Sequence, residues 1–107
     1  MPKSVTEKIV ECRTPGGLTL RMERWYYEAI RSALLRILPA PDIHAEVYQL
    51  HLLVNEQLDA ATRGSINSLV WLVAWVRLDL EVEGVVTRDA VWVKRVQGHR
   101  HSGPGTA

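Results

Sequence analysis

Cysteine is almost missing from this 107-residue chain, where Cys12 stands alone. That excludes an intramolecular disulfide and a cysteine-rich zinc site, and it fits a reducing compartment. Long hydrophobic runs are missing too. The longest, residues 69–76, has eight residues, well short of the roughly 20 that a membrane-spanning helix needs, so no membrane segment is expected. The N-terminus mixes Lys3, Glu7, Lys8 and Glu11 with few apolar side chains and offers no secretory signal. A cytoplasmic protein is the expectation. A Gly-rich phosphate loop, an HExxH motif and a serine or cysteine nucleophile motif are all lacking. Catalysis is therefore not expected, and no cofactor is implied.

What the chain does contain is ordinary globular material. An apolar fraction of 47% with 23% charged residues lies well away from the composition of disordered chains, and the length suits one hydrophobic core. The net charge of +1 gives no strong overall attraction to nucleic acid, but its distribution is uneven. Residues 1–36 carry seven basic and four acidic side chains (+3), residues 37–83 two and seven (−5), and residues 84–107 four and one (+3).

Patterning predicts the elements. Residues 5–13 alternate polar and apolar, Thr14, Pro15, Gly16 and Gly17 supply a turn, and Leu18, Leu20 and Met22 alternate again, which reads as a β-hairpin. From Arg24 the period changes, with Tyr27, Ile30, Leu34 and Ile37 on one helical stripe, until Pro39 and Pro41 stop the helix. Asp42 stands as the N-cap of a second helix with stripe Ile43, Val47, Leu50 and Val54, ending near Leu58. Residues 59–64 are small and polar, and Ser65 caps a third helix that begins at Ile66.

The end of that helix is ambiguous. Residues 77–83 alternate strictly, Leu78, Leu80 and Val82 against Asp79, Glu81 and Glu83, so periodicity alone permits a strand. As a helix the segment has two apolar stripes: Leu69, Leu72, Val73, Val76 and Leu80 on one, Trp71, Trp75, Leu78 and Val82 on the other. Gly84 is then the C-terminal cap. Residues 85–88 and 91–96 form a second hairpin around Asp89 and Ala90, and the Gly-rich, polar residues 97–107 read as a disordered tail. The fold class is α+β: an N-terminal β-hairpin, three helices and a C-terminal hairpin within residues 1–96. That order is the order of a winged-helix-like domain, with the last hairpin as the wing.

The run Leu78, Asp79, Leu80, Glu81, Val82, Glu83, Gly84, Val85, Val86, Thr87 and Arg88 resembles the LDLE-x-x-G-x-I-x-R ending of small bacterial winged-helix-like domains of unknown function. Tyr27, Ile30, Arg31, Ala33, Leu34 and Leu35 are similar to a Y-x-x-h-R-x-A-L-L helix of the same family, h being apolar. A C-x-x-P-x-x-G turn also looks similar, but here Gly16 and Gly17 directly follow Pro15, which leaves the first hairpin's register open. The resemblance spans about residues 8–95. It implies a helix for residues 77–83 and carries no activity or catalytic residues.

Two functional readings follow. The stripe Trp71, Trp75, Leu78 and Val82 is one apolar face more than the last helix of a small core needs. Either the N-terminal hairpin folds over it or it is an interface for a homodimer or a protein partner. The second reading is binding of double-stranded DNA by Arg63, Ser65, Asn67 and Ser68 at the start of the third helix with Arg88, Lys94 and Arg95 on the wing. Against it stand Asp79, Glu81 and Glu83 and the apolar stripe itself. Arg24, Trp25, Tyr26 and Tyr27 interleave charge with aromatics, a pattern that stacks single-stranded bases, but packing at the helix start is the better account of it. His44 and His51 are two helical turns apart and His99 and His101 lie in the tail, so no metal site is expected. Asp79 and Glu83 share a face with no nucleophile nearby, which reads as a solvated or Arg77-paired acidic face.

Overall fold

The computed structural model describes residues 8–96. Its first two strands, β1 (Ile9–Arg13) and β2 (Thr19–Glu23), pair antiparallel with Cys12 opposite Leu20 and Val10 opposite Met22. Their turn is held by the Thr14 hydroxyl, which accepts from the Leu18 amide at 3.0 Å, and by Gly17 at φ +94°. Glycine takes that left-handed backbone without a side-chain clash. The first helix, α1 (Arg24–Ile37), follows at once and buries Tyr27, Ile30, Ala33 and Leu34, spaced as one helical stripe.

The next segment departs from the helical pattern. Residues 44–46 are not helical: His44–Glu46 is a short strand, β3, followed by a 3-10 turn, Val47–Gln49, and only then by α2 (Leu50–Gln57). Asp42 caps nothing. Ala45 is buried, with β3 pairing to the last strand of the chain and Val47 donating to the Val91 carbonyl at 2.7 Å. A spacing of four between Ile43 and Val47 mimics a helix, but the last strand of the chain, distant in sequence, offers these backbone groups a better partner. The proline pair ahead of it already biases the chain toward extended geometry.

A second correction concerns residues 59–68. The small polar stretch contains a helix, α3 (Ala60–Ser65), capped by Asp59, whose carboxylate accepts from the Thr62 amide at 2.7 Å. Ser65 ends this helix instead of capping the next, its hydroxyl donating to the Ala61 carbonyl. The long helix α4 begins at Leu69, after Ser68 in left-handed backbone, and runs to Glu83. Residues 77–83 are thus helical. Gly84, at φ +80°, closes it, with Val85 donating to the Leu80 carbonyl and Gly84 to that of Glu81, the two bonds of a Schellman cap.

Strands β4 (Val86–Asp89) and β5 (Trp92–Arg95) complete a three-stranded antiparallel sheet in the order β3-β5-β4. One core serves all elements: Cys12 from the hairpin, Ile30 and Leu34 from α1, Leu50 and Val54 from α2, Val76 and Leu80 from α4 and Val93 from β5 are nearly inaccessible. The described residues are α+β, with a hairpin first and a strand pair last. The expected tail lies outside them.

Candidate functional site

α4 presents two unlike faces. Val73, Val76 and Leu80 enter the core, and Arg77 and Asp79 are buried on its flanks. At roughly 100° per residue, the side facing away from the core holds Val70, Trp71, Ala74, Trp75, Leu78, Glu81 and Val82. Six of these seven are apolar. Val70 and Trp71 are 58% and 57% exposed and Val82 38%, while Ala74, Trp75 and Leu78 are half-buried. The Trp71 and Trp75 rings meet edge to face at 6.0 Å, an arrangement that aromatic quadrupoles favour.

Asp79 ties the N-terminal hairpin to α4. Its Oδ1 accepts from the Arg13 backbone amide at 3.0 Å and its Oδ2 from the Tyr27 hydroxyl at 2.8 Å. The carboxylate pins β1 and α1 to one flank of α4, about a quarter turn from the core line. Asp79 is therefore a buried latch, 5% exposed, and not part of a solvated acidic face. The buried Arg77 pairs with Glu81, and Glu83 with Arg31 at 3.1 Å. Burial raises the Tyr27 hydroxyl pKa, and the Asp79 hydrogen bond adds to the rise. Burial likewise pushes the Cys12 thiol up to about 12, with Asp79 and Glu83 contributing.

Two grooves border the open face. One, about 400 Å³, lies between the hairpin and the start of α4, with Ile9, Leu20, Tyr26, Trp71 and Leu72 among its lining and Arg21 and Asn67 at its edge. The other, about 350 Å³, lies toward the 3-10 turn and the last hairpin, with Tyr48, His51, Val70, Ala74, Arg77 and Arg88 in its walls. Val70, Ala74 and the hairpin residues were not singled out in the sequence. The spacing of Val70 and Ala74 within the eight-residue apolar run carried the signal, but the hairpin groove arises only from tertiary packing.

The residues proposed for DNA do not converge. Arg63 Nε donates to the Leu58 carbonyl, Arg88 Nε to that of Ala90, and Arg95 Nη2 to that of Leu35 near the end of α1. Register places Arg88 opposite Val93 and Lys94 opposite His44 and Thr87, hence on opposite faces of the sheet. Ser65, Asn67 and Ser68 are exposed at the other end of α4 from Gly84. The aromatic cluster at the start of α1 also divides. Tyr27 is buried, the Tyr26 hydroxyl donates to the Ser65 carbonyl at 2.9 Å, and Trp25 alone is exposed, its indole N–H donating to Glu23. His44 packs edge-on to Trp92 at 6.4 Å, and His51 is half-buried on α2. His99 and His101 lie outside the described residues.

Among the described residues no group of three or more His, Cys, Asp or Glu is placed to hold a metal ion, and no helix is long and apolar enough to cross a membrane. No curated protein and no solved structure matches the chain. A family model does match, over residues 8–97, from the first hairpin through the last. The chain belongs to that family, described as a family of unknown function (DUF6958).

Proposed function

We propose that the protein is a non-enzymatic, winged-helix-like association module that pairs with a second copy of itself through the outer face of α4. The observation that carries this reading is the exposure of that face: Val70, Trp71 and Val82 lie open along it, beside Trp75, which is half-buried against the core and meets the Trp71 ring edge to face. Exposing a face of this kind to water costs free energy that burial on association recovers, and tryptophan is a favoured anchor of such contacts. The winged-helix reading is supported by element order and sheet order. A strand between the first two helices of the core pairs with the last strand, in the order β3-β5-β4, as in domains whose final hairpin is a wing.

Sedimentation velocity at micromolar concentration tests it. The expected result is a dimer, with Trp71→Glu giving a folded monomer, because an exposed side chain is changed and the core is left intact. A wild-type chain that sediments as a monomer throughout that range would end the proposal.

The order of helices and last hairpin also supports a second reading, a duplex-binding regulator that uses the start of α4 and one face of the last hairpin. It ranks lower because α4 turns tryptophan, valine and leucine outward where base readout needs hydrogen-bonding groups. Duplex affinity that falls steeply with salt and drops on Arg88→Ala would reverse the order.

A further inference from the structure

The groove bounded by the 3-10 turn, α2, α4 and β4 has a volume of about 350 Å³, at the lower end of sites that hold a small organic molecule. Its floor is apolar, made by Val47, Leu50, Val73 and Ala74. The polar side chains in its walls are Tyr48, His51, Arg77 and Arg88, and no carboxylate is among them. The groove beside the first hairpin, in contrast, includes Glu23, and the one between α1 and the end of α4 includes Glu28 and Glu83. From this pairing of an apolar floor with basic walls we propose that the groove binds a small amphipathic acid. The apolar body of the acid lies on the floor and its carboxylate accepts from Arg88 and Arg77.

The two arginines have different parts. Arg88 pairs with Val93, and Val93 with Ala45, and residues paired across a sheet share a face. Val93 and Ala45 are buried, so Arg88 stands on the core side of the sheet, on its edge strand β4. Asp89 and Glu46, both opposite Trp92, stand on the other side. Arg88 Nε donates to the Ala90 carbonyl, and the guanidinium makes no ion pair among the described residues. It therefore supplies the charge. Arg77 is balanced by Glu81, to which its Nη1 donates, and supplies direction instead. It is 7% exposed, and its Nε and Nη2 have no acceptor among the described residues. Those N–H groups form part of a rigid fork that suits a carboxylate. The Tyr48 hydroxyl, on a residue 67% exposed, and an N–H of His51 on α2 stand at the same walls. One uncompensated cation above four apolar side chains matches a single negative charge on an apolar body, and suits inorganic phosphate poorly. The inference is independent of the pairing proposed above, since a monomeric chain that binds the acid leaves it standing.

Amide chemical shifts of the full chain, followed by NMR during titration, test the site with three probes: 2-naphthoate, its uncharged analogue 2-naphthamide, and acetate, which has the charge without the body. The naphthoate is expected to shift the amides of Val47, His51, Ala74 and Arg88 saturably, with a dissociation constant of about 1 mM or lower for a ligand of its size. The amide is expected to bind about tenfold more weakly, and acetate to shift nothing at the same concentration. Arg88→Gln changes an exposed side chain and leaves the core intact. It should bring naphthoate down to the level of naphthamide while leaving naphthamide unchanged, a result that mere loss of folding cannot give. Equal binding of acid and amide by the wild type, an equal loss of both in Arg88→Gln, or acetate shifts matching those of naphthoate each overturn the proposal. So do shifts centred on Trp71 and Val82, which locate the probe on the open face of α4, and the absence of saturable shifts up to about 10 mM, tenfold above the expected constant.

Discussion

Asp79 holds together three elements with two bonds, and its replacement separates packing from polar satisfaction. In Asp79→Ala the Arg13 amide and the Tyr27 hydroxyl lose their acceptor in a buried place, which costs about 3 kcal/mol. Tyr27→Phe removes one donor and leaves the other, at about 1 kcal/mol. Denaturant unfolding of the two variants checks the ratio; equal losses would contradict the latch. Cys12 sits in the same cluster and sets a pH dependence. Its folded pKa, about 12, lies above the ordinary value of 9.0, so the protonated thiol favours the folded chain and its contribution is complete below about pH 9. That contribution is lost as pH rises from there toward about 12, and Tyr27, raised for the same reason of burial, acts in the same direction. Stability is expected to fall above about pH 9, and Cys12→Ala to flatten part of the fall.

At the scale of elements, the last hairpin was legible because its signals are local, whereas the alternation of residues 77–83 permitted a strand and only the family resemblance implied the helix found there. Gly84 follows the final apolar position of α4 and adopts the left-handed cap. Gly84→Ala is expected to cost about 1 kcal/mol by forcing a Cβ into that backbone, readable as a lower melting temperature. The turn of the last hairpin offers the opposite experiment. Ala90 has φ +57° at the first position of a two-residue turn between Asp89 and Trp92, where glycine is preferred, so Ala90→Gly should raise stability by a similar amount. What could not be read was β3. Its three residues take their conformation from β5, nearly fifty positions away, and the Ile43 to Val47 spacing pointed to a helix. The α3 helix was missed for a different reason: its core contacts are slight and its definition is the Asp59 cap, whose signal the nearby Gly64 and Ser65 obscured. The Trp71 stripe was visible in the sequence, but the division of its two tryptophans into an exposed Trp71 and a half-buried Trp75 was not, nor was the burial of Asp79, which the alternation of residues 77–83 made look solvated.

For the whole molecule, charge and apolar surface make different demands on the solvent, and salt separates them. The ends of the chain are basic and the middle acidic, so any duplex affinity draws on few cations and weakens steeply as salt rises, through counterion release. The proposed pairing through α4 would instead cover the exposed Trp71, Val70 and Val82, a contribution that added salt does not screen. Only charges at the rim are screened, and exposed ion pairs contribute about 1 kcal/mol or less. The dimer is therefore expected to keep its dissociation constant within severalfold from low to high sodium chloride. Its melting temperature is expected to rise with protein concentration, since association stabilises the folded chain by mass action. In Trp71→Glu the concentration dependence should vanish while the melting temperature at high dilution stays near that of the wild type. Sedimentation equilibrium across salt, with calorimetry across concentration, reads both. A dimer that dissociates steeply with salt would place the association on charges and remove the α4 face from its centre.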